Sequence, residues 1–301
     1  MDLILNLYKP TGMTSHRAVT EVRKILKVKK GGHAGTLDPL AEGVLLVCLG
    51  EATKVSRFLS DYDKEYLVTM RLGEKTDTFD AEGRIIQRRD PGGVGIEAMT
   101  RAVSAFRGEI VQIPPMYSAV KSGGVPLYTL ARRGETVSRN FRKVTIYSLE
   151  VTEFENPMVT MSVHCSKGTY IRTLVDDIGE SLNTGAHVVK LIRTKIGKFD
   201  ANSSAMLNKD DILKKLITID EALYDMQEII LKKDSVKRAR NGVPVPLTEE
   251  HVANVHLVKG TADKGFYRLK DHQGSLLAVA RIEDNMIRVE RMLSANLKVV
   301  F

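Results

Sequence analysis

Residues 44–49, VLLVCL, form an unbroken apolar run that stops at Gly50. A run of strand length with no polar member belongs to a strand covered on both faces, so it must sit centrally in a sheet. Just before it the chain reads GGHAGTLDPLAEG over residues 31–43. Gly31, Gly32 and Gly35 permit backbone conformations and close approaches that a Cβ resists. Asp38 ends this glycine-walled turn, and Pro39 disfavours helical backbone at Asp38, which holds its carboxylate in an extended stretch. A rigid central strand therefore carries a loop that presents one carboxylate. The same residues also allow a plainer arrangement, with Asp38 as a helix N-cap and Pro39 at the first helical position. A phosphate-binding loop is excluded, because no GxxxxGK[ST] spacing occurs.

A length of 301 residues is about two domains' worth, and 43% hydrophobic content with a mean hydropathy of −0.14 describes a globular chain with a proper core. The 45 Lys and Arg exceed the 37 Asp and Glu, giving a net charge of +8 and an isoelectric point near 9.3. That balance favours an anionic partner such as nucleic acid. Cys48 and Cys165 are far apart, with no CxxC and no His/Cys cluster, so neither a disulfide framework nor a metal site is expected. The opening MDLILNLYKP lacks a basic leader, and no apolar run approaches membrane-spanning length. The expectation is a cytoplasmic protein with no membrane association.

Along the chain, a short strand at residues 3–7 is stopped by Pro10 and Gly12. Thr14 or Ser15 can cap a helix whose apolar stripe is Val19, Val22, Ile25 and Leu26, with a basic opposite face and end. A helical turn is expected at 54–59 and a strand at 66–71. A polar turn follows at 76–83, with Asp77 and Asp80 as turn formers, then a strand at 84–88 and a helix at 96–107. Residues 108–144 read as a long insertion rich in Pro, Gly and basic residues, with Tyr117 and Tyr128 interleaved. Cations that neutralise phosphates and rings that stack on unpaired bases suit RNA. Strands are expected at 144–153 and 159–165. A second helical stripe, Ile171, Leu174, Val175 and Ile178, begins at a junction where Tyr170 and Arg172 can project into a cleft. Short helices at 210–216 and 220–222 follow. Past a lysine- and arginine-rich stretch around 230–241, short strands at 265–269, 276–282 and 286–290 suggest a small β-rich module.

The 31–54 stretch closely resembles the catalytic motif of the TruB family of tRNA pseudouridine synthases, which isomerise the T-loop uridine at tRNA position 55. By this resemblance Asp38 is the catalytic nucleophile, Tyr66 of the D-K-x-Y segment lies against the target base, and Arg172 pairs with the nucleophile. A guanidinium in that place would aim the carboxylate. The resemblance also gives substrate-binding places to His33, beside a flipped-out base, to Tyr170, and to Leu191, the apolar residue under the base. It makes Lys9–Ser15 a support for the active-site loop, while Arg193 is basic and nearby, and a plain surface charge is an alternative reading of it. The implied fold is α/β (α+β): a mixed, largely antiparallel central sheet flanked by helices, the pseudouridine synthase fold, with a small C-terminal β-rich PUA-like domain. The implied division is a catalytic domain at 1–230, with an RNA-binding insertion at about 108–144, and a PUA-like RNA-binding domain at 231–301. The reaction so implied flips the base and needs no cofactor and no metal. The partner is the T-loop of tRNA, and the protein would act as a monomer with no obligatory protein partner. Two other readings stay open: a tRNA-binding folding chaperone without essential chemistry, and a pseudouridine synthase directed by guide RNA.

Overall fold

The chain enters through β1 (Leu3–Lys9), turns into α1 (Ser15–Leu26), and returns through β2 (Gly31–Ala34) and β3 (Glu42–Leu49). These elements are seen in a computed structural model that describes residues 1–256 and 265–293. Thr14 caps α1 by accepting from Arg17 N. The apolar run is β3, and it is buried on both faces. Val44, Leu46 and Cys48 pack with Ile4 and Phe58, while Leu45, Val47 and Leu49 pack with Leu5, Val19 and Val22. Each such side chain fully removed from water contributes about 1.5–3 kcal/mol, which fixes β3 at the centre of the molecule. Gly31 and Gly32 are not turn residues; they are strand residues paired with Leu49 and Cys48. Gly31 earns its place through packing, since a Cβ there would sit 2.9 Å from the Arg23 side chain of α1.

Next come α2 (Ser56–Ser60), reached through a 3-10 turn at Gly50–Val55, and β4 (Lys64–Leu72), whose alternate residues are buried. A small hairpin, β5 (Glu74–Thr76) and β6 (Ile85–Arg88), brackets the polar turn and leads to α3 (Ile96–Ser104) and β7 (Gly108–Gln112). The long segment at 108–144 is less irregular than expected. Its first five residues pair as β7 with β10 (Arg142–Glu155), because Val144 and Ile146 bury on the sheet face and draw Ile110 and Gly108 alongside. Between them lie a minimal hairpin, β8 (Lys121–Ser122) and β9 (Val125–Pro126), and one short helix, α4 (Leu127–Arg132).

The core is completed by β11 (Met158–Cys165), α5 (Ile171–Ser181), β12 (Ala186–Ile196), β13 (Phe199–Asp200), α6 (Lys209–Lys214), β14 (Leu216–Thr218) and α7 (Ile219–Ala222). The large sheet runs β14-β1-β3-β12-β4-β11-β10-β7, with β2 on β3 and β13 on β12. It is mixed and largely antiparallel; the exception is the β3–β12 pair, which is parallel. Helix α5 covers one face, where Ile171, Leu174, Val175 and Ile178 meet Tyr66, Val68 and Met70 of β4. Both cysteines are free and buried, and burial pushes their thiols up, to about 12 for Cys48 and about 11 for Cys165.

A second, six-stranded sheet begins at β15 (Gln227–Leu231) and takes in β16 (Val245–Pro246), β17 (Val252–His256), β18 (Tyr267–Lys270), β19 (Leu276–Glu283) and β20 (Met286–Met292), with α8 (Lys233–Arg240) beside it. Its order is β16-β20-β19-β18-β15-β17. Asp271–Gly274 forms the turn between β18 and β19, closed by Gly274 N donating to Asp271 O. Apolar contact joins the two sheets: the Phe58 and Phe266 rings lie 4.9 Å apart edge to face, and Leu276, Val279 and Leu293 share a core with Leu59 and Ile219. Among the described residues no helix is long and apolar enough to cross a membrane.

Candidate active site

The loop before β3 has no helix after Pro39, so Asp38 is not an N-cap; residues 36–41 run as open chain and bends. What shapes it is a set of braces from the start of the protein. Ser15 Oγ donates to Leu37 O at 2.9 Å and accepts from Leu37 N at 2.8 Å, both buried. Gly12 N donates to Pro39 O and Thr11 Oγ1 to Leu40 O, each at 2.8 Å. The loop's backbone groups are thereby satisfied without secondary structure. Gly35, at φ +85°, makes the bend that a Cβ would resist. The support expected of Lys9–Ser15 thus comes from Thr11, Gly12 and Ser15. Lys9 turns inward, fully buried, and donates to Pro10 O and Met13 O.

Arg172 lies in the first turn of α5, where the chain leaves β11 through the extended residue Tyr170. Its side chain is 5% exposed, and Nε stands 2.9 Å from Asp38 Oδ2. This is contact of charges rather than an aligned hydrogen bond, since Nε–H has no hydrogen-bond partner. Nη1 is 3.4 Å from Asp80 Oδ2 and donates to Thr78 O, and Nη2 donates to Tyr117 O at 2.8 Å. One guanidinium therefore ties the Asp38 loop to the 76–83 turn and to the 113–141 segment. Asp80 is more than a turn former, being buried at 5% exposure against that guanidinium.

Tyr66 and Leu191 come from neighbouring strands. On β4 and β12, Tyr66 faces Arg193 and Val68 faces Leu191 in register. Both side chains are buried, and both line a cleft of about 260 Å³ whose wall also includes Asp38, Tyr170 and Arg172. Burial pushes the Tyr66 hydroxyl above its ordinary pKa, with the Arg193 guanidinium acting in the opposite sense. The cleft sets apolar Leu191 and aromatic Tyr66 beside a carboxylate–guanidinium pair, a mixture of polarity that suits a pyrimidine ring. His33 stands apart. It sits on β2 opposite Val47 and does not line the cleft. Its Nδ1 is buried without a partner, and burial, then Arg193 and His16, lower its pKa. Tyr170 presents its ring to the cleft and to Arg142, whose guanidinium lies 5.5 Å from the ring centroid.

Arg193 is no surface charge. It is 1% exposed and donates through Nε to Val44 O (2.8 Å), through Nη1 to Thr36 O (3.2 Å) and through Nη2 to Gly35 O (3.0 Å). The parallel pairing of β12 with β3 puts it there, with Arg193 opposite Gly43, whose φ of +106° and lack of a Cβ let the two backbones close up. Lys64, 6% exposed, also lines the cleft. The strand period announces both residues. Arg193 follows Leu191 by two positions and Lys64 precedes Tyr66 by two, so each shares a face with a residue that lines the cleft. Among the described residues no cluster of His, Cys, Asp or Glu could hold a metal ion.

A half-exposed aspartate against a buried arginine, beside a strand tyrosine in a cleft on a mixed sheet of this order, fits the pseudouridine synthase class of isomerases. Residues 23–171 match the family model described as TruB family pseudouridylate synthase, N-terminal domain, and residues 172–236 match the tRNA pseudouridylate synthase B C-terminal domain. The chain is 42% identical over 303 residues to tRNA pseudouridine synthase B of Actinobacillus succinogenes, covering 96% of this chain and 93% of the relative. It is 40% identical over 297 residues to tRNA pseudouridine synthase B of Clostridium perfringens, covering 97% and 99%. Among solved structures it is similar to a Cbf5-Nop10-Gar1 complex chain (TM-score 0.74, 27% identity, 96% of this chain and 84% of that one). A second similar chain is in an H/ACA RNP bound to a substrate RNA containing 2'-deoxyuridine (TM-score 0.72, 25% identity, 97% and 85%). The chain belongs to the TruB family of pseudouridylate synthases.

Proposed function

We propose that this protein isomerises uridine to pseudouridine at position 55 in the T-loop of tRNA, with Asp38 as the nucleophile. The observation that carries the reading is the Asp38–Arg172 pair, 2.9 Å apart on the wall of a slot that also holds Tyr66 and Leu191. A uridine inside a folded T-loop cannot reach that slot until it is extruded from its stack. Leu191 then supports one face of the ring and Tyr170 contacts it, while His33, on the neighbouring strand, packs against the RNA left behind. Asp38, aimed by Arg172, attacks the nucleoside; the N1–C1′ bond breaks, the base turns, C5 bonds to C1′, and the bond to Asp38 breaks, which frees its carboxylate. Tyr66, on β4 in the cleft wall, assists removal of the C5 proton.

The 113–141 segment serves as the RNA-gripping insertion and the second sheet as a PUA-like RNA-binding module, so the protein acts alone, as a monomer in the cytoplasm. Tyr117 O, on that segment, accepts from Arg172, which couples RNA contact to the site. A similar chain is found in a Cbf5-Nop10-Gar1 complex, and direction by guide RNA is the competing reading. The test is to incubate the protein with two unmodified tRNA transcripts, one with uridine and one with cytidine at position 55, and to map pseudouridine. Conversion at position 55 of the first alone, with no guide or partner added, supports the proposal. Conversion elsewhere, or none until a guide is supplied, contradicts it.

A further inference from the structure

Four cations are buried around the cleft: Lys9, Lys64, Arg172 and Arg193. Arg172 is balanced by Asp38 and Asp80. The other three have no carboxylate within ion-pair distance among the described residues and are held mainly by carbonyls, Arg193 also by a side-chain hydrogen bond with Tyr66. Lys9 has Pro10 O and Met13 O, Lys64 has Ser60 O and Tyr62 O, and Arg193 has Gly35 O, Thr36 O and Val44 O. Carbonyl dipoles orient a cation without cancelling its charge, so burial still opposes it. Burial, then repulsion from Arg193, lowers Lys64 from 10.5 to about 8.

Two of these three, Lys64 and Arg193, line the cleft together with Asp38 and Tyr66. They converge on Gly35: a Cβ built there would lie 3.8 Å from Arg193 Nη1 and 4.0 Å from Lys64 Cε. Both brace backbone, Arg193 at Gly35, Thr36 and Val44 and Lys64 at Ser60 and Tyr62, yet that bracing leaves two adjacent cations at the cleft without a carboxylate in ion-pair contact. A site that retains them has a fixed positive field facing whatever fills the slot, and such a field acts on charge that develops during reaction.

The reaction proposed above, on which this inference rests, makes the matching charge. If Asp38 bonds to C1′, the N1–C1′ electron pair stays on the pyrimidine, which carries one negative charge spread over N1, O2 and O4. If Asp38 bonds to C6, the C5–C6 π pair moves into an enolate that ends at O4. Either way the ring is an anion until C5 bonds to C1′; C5 then loses its proton, N1 gains one and Asp38 is released as carboxylate, with no external reactant consumed. We infer that Lys64 and Arg193 form a dicationic floor that stabilises this pyrimidine anion, a role separate from the aiming of Asp38 by Arg172.

The test compares wild type, Lys64→Gln and Lys64→Arg, each as the full chain, in single-turnover reactions with saturating tRNA carrying either uridine or 5-fluorouridine at the target position. Loss of the N-glycoside is followed by nuclease digestion and chromatography. Fluorine at C5 withdraws electrons and stabilises the ring anion by itself, so a floor that does the same work matters less on the fluorinated base. Lys64→Gln should slow uridine by about 100-fold and 5-fluorouridine by about tenfold or less, with tRNA affinity unchanged, and Lys64→Arg should restore most of the rate. An equal loss on both bases, or no loss on either, overturns the inference. Lys64→Met, which fills the same volume with an uncharged side chain, serves if Lys64→Gln fails to fold. If wild type itself converts no tRNA uridine, it is the isomerase reading that falls, not the floor.

Discussion

Arg172 reaches Asp38 Oδ2 through Nε at 2.9 Å while its two terminal nitrogens hold Thr78 O and Tyr117 O. A lysine carries the same charge but cannot span three directions at once. Arg172→Lys is therefore expected to leave tRNA affinity within a few fold and to lower the turnover rate by about 100-fold, measured as kcat against Kd. A proportional loss of both would place Arg172 in binding instead. Lys64 gives a prediction at the same scale. Its folded pKa, about 8, lies below the unfolded value of 10.5, so between those values the unfolded chain binds more protons. Its burial costs stability in full below about pH 8, and the cost fades as pH rises toward 10.5. The melting temperature of wild type relative to Lys64→Met should climb between about pH 7.5 and 9.5, and a gap that does not change with pH would contradict this assignment.

At the scale of elements, neighbours in sequence have divided their work. Thr14 caps α1, and Ser15 is spent on the loop, gripping both polar groups of Leu37. Thr14→Ala is expected to cost about 1 kcal/mol of stability with the rate unchanged. Ser15→Ala leaves buried Leu37 groups unpaired, which costs about 1–3 kcal/mol, and loosens the loop that carries Asp38, which lowers the rate by about tenfold or more. Chemical denaturation and tritium-release kinetics on the two variants check this. The helix was legible because an apolar stripe and a hydroxyl at its start are local signals, and β3 was legible because six apolar residues in a row have few other uses. The assignment of Ser15 to the loop was not, since its partner is 22 residues away. Nor was the pairing of Gly108–Gln112 with β10, which depends on Val144 and Ile146 burying far along the chain.

Across the whole molecule, the second sheet is fastened to the first by more than apolar contact. Asp220 of α7 meets Arg268 Nη1 and Lys270 Nζ of β18, each at 2.8 Å, and Arg57 of α2 meets Glu290 of β20. None of these partners could be matched from sequence, because charges 48 to 233 residues apart look alike until the sheets fix them. Asp80 read as a turn former for the same reason, and only the approach of α5 reveals its burial; Arg193 shares a strand face with Leu191, but its place against Gly43 depends on the parallel β3–β12 junction. What the sequence did carry was the co-occurrence of Asp38, Tyr66, Arg172 and Leu191, and the fold brings all four to one cleft. On the proposed reading, Asp38 performs the chemistry there. That role is tested most directly by incubating wild type and Asp38→Asn with an unmodified tRNA transcript tritiated at uracil C5 and following release into water. Release by wild type, with none above background from a variant that still binds the tRNA, is the predicted result. Release by Asp38→Asn at a rate near that of wild type would contradict the account.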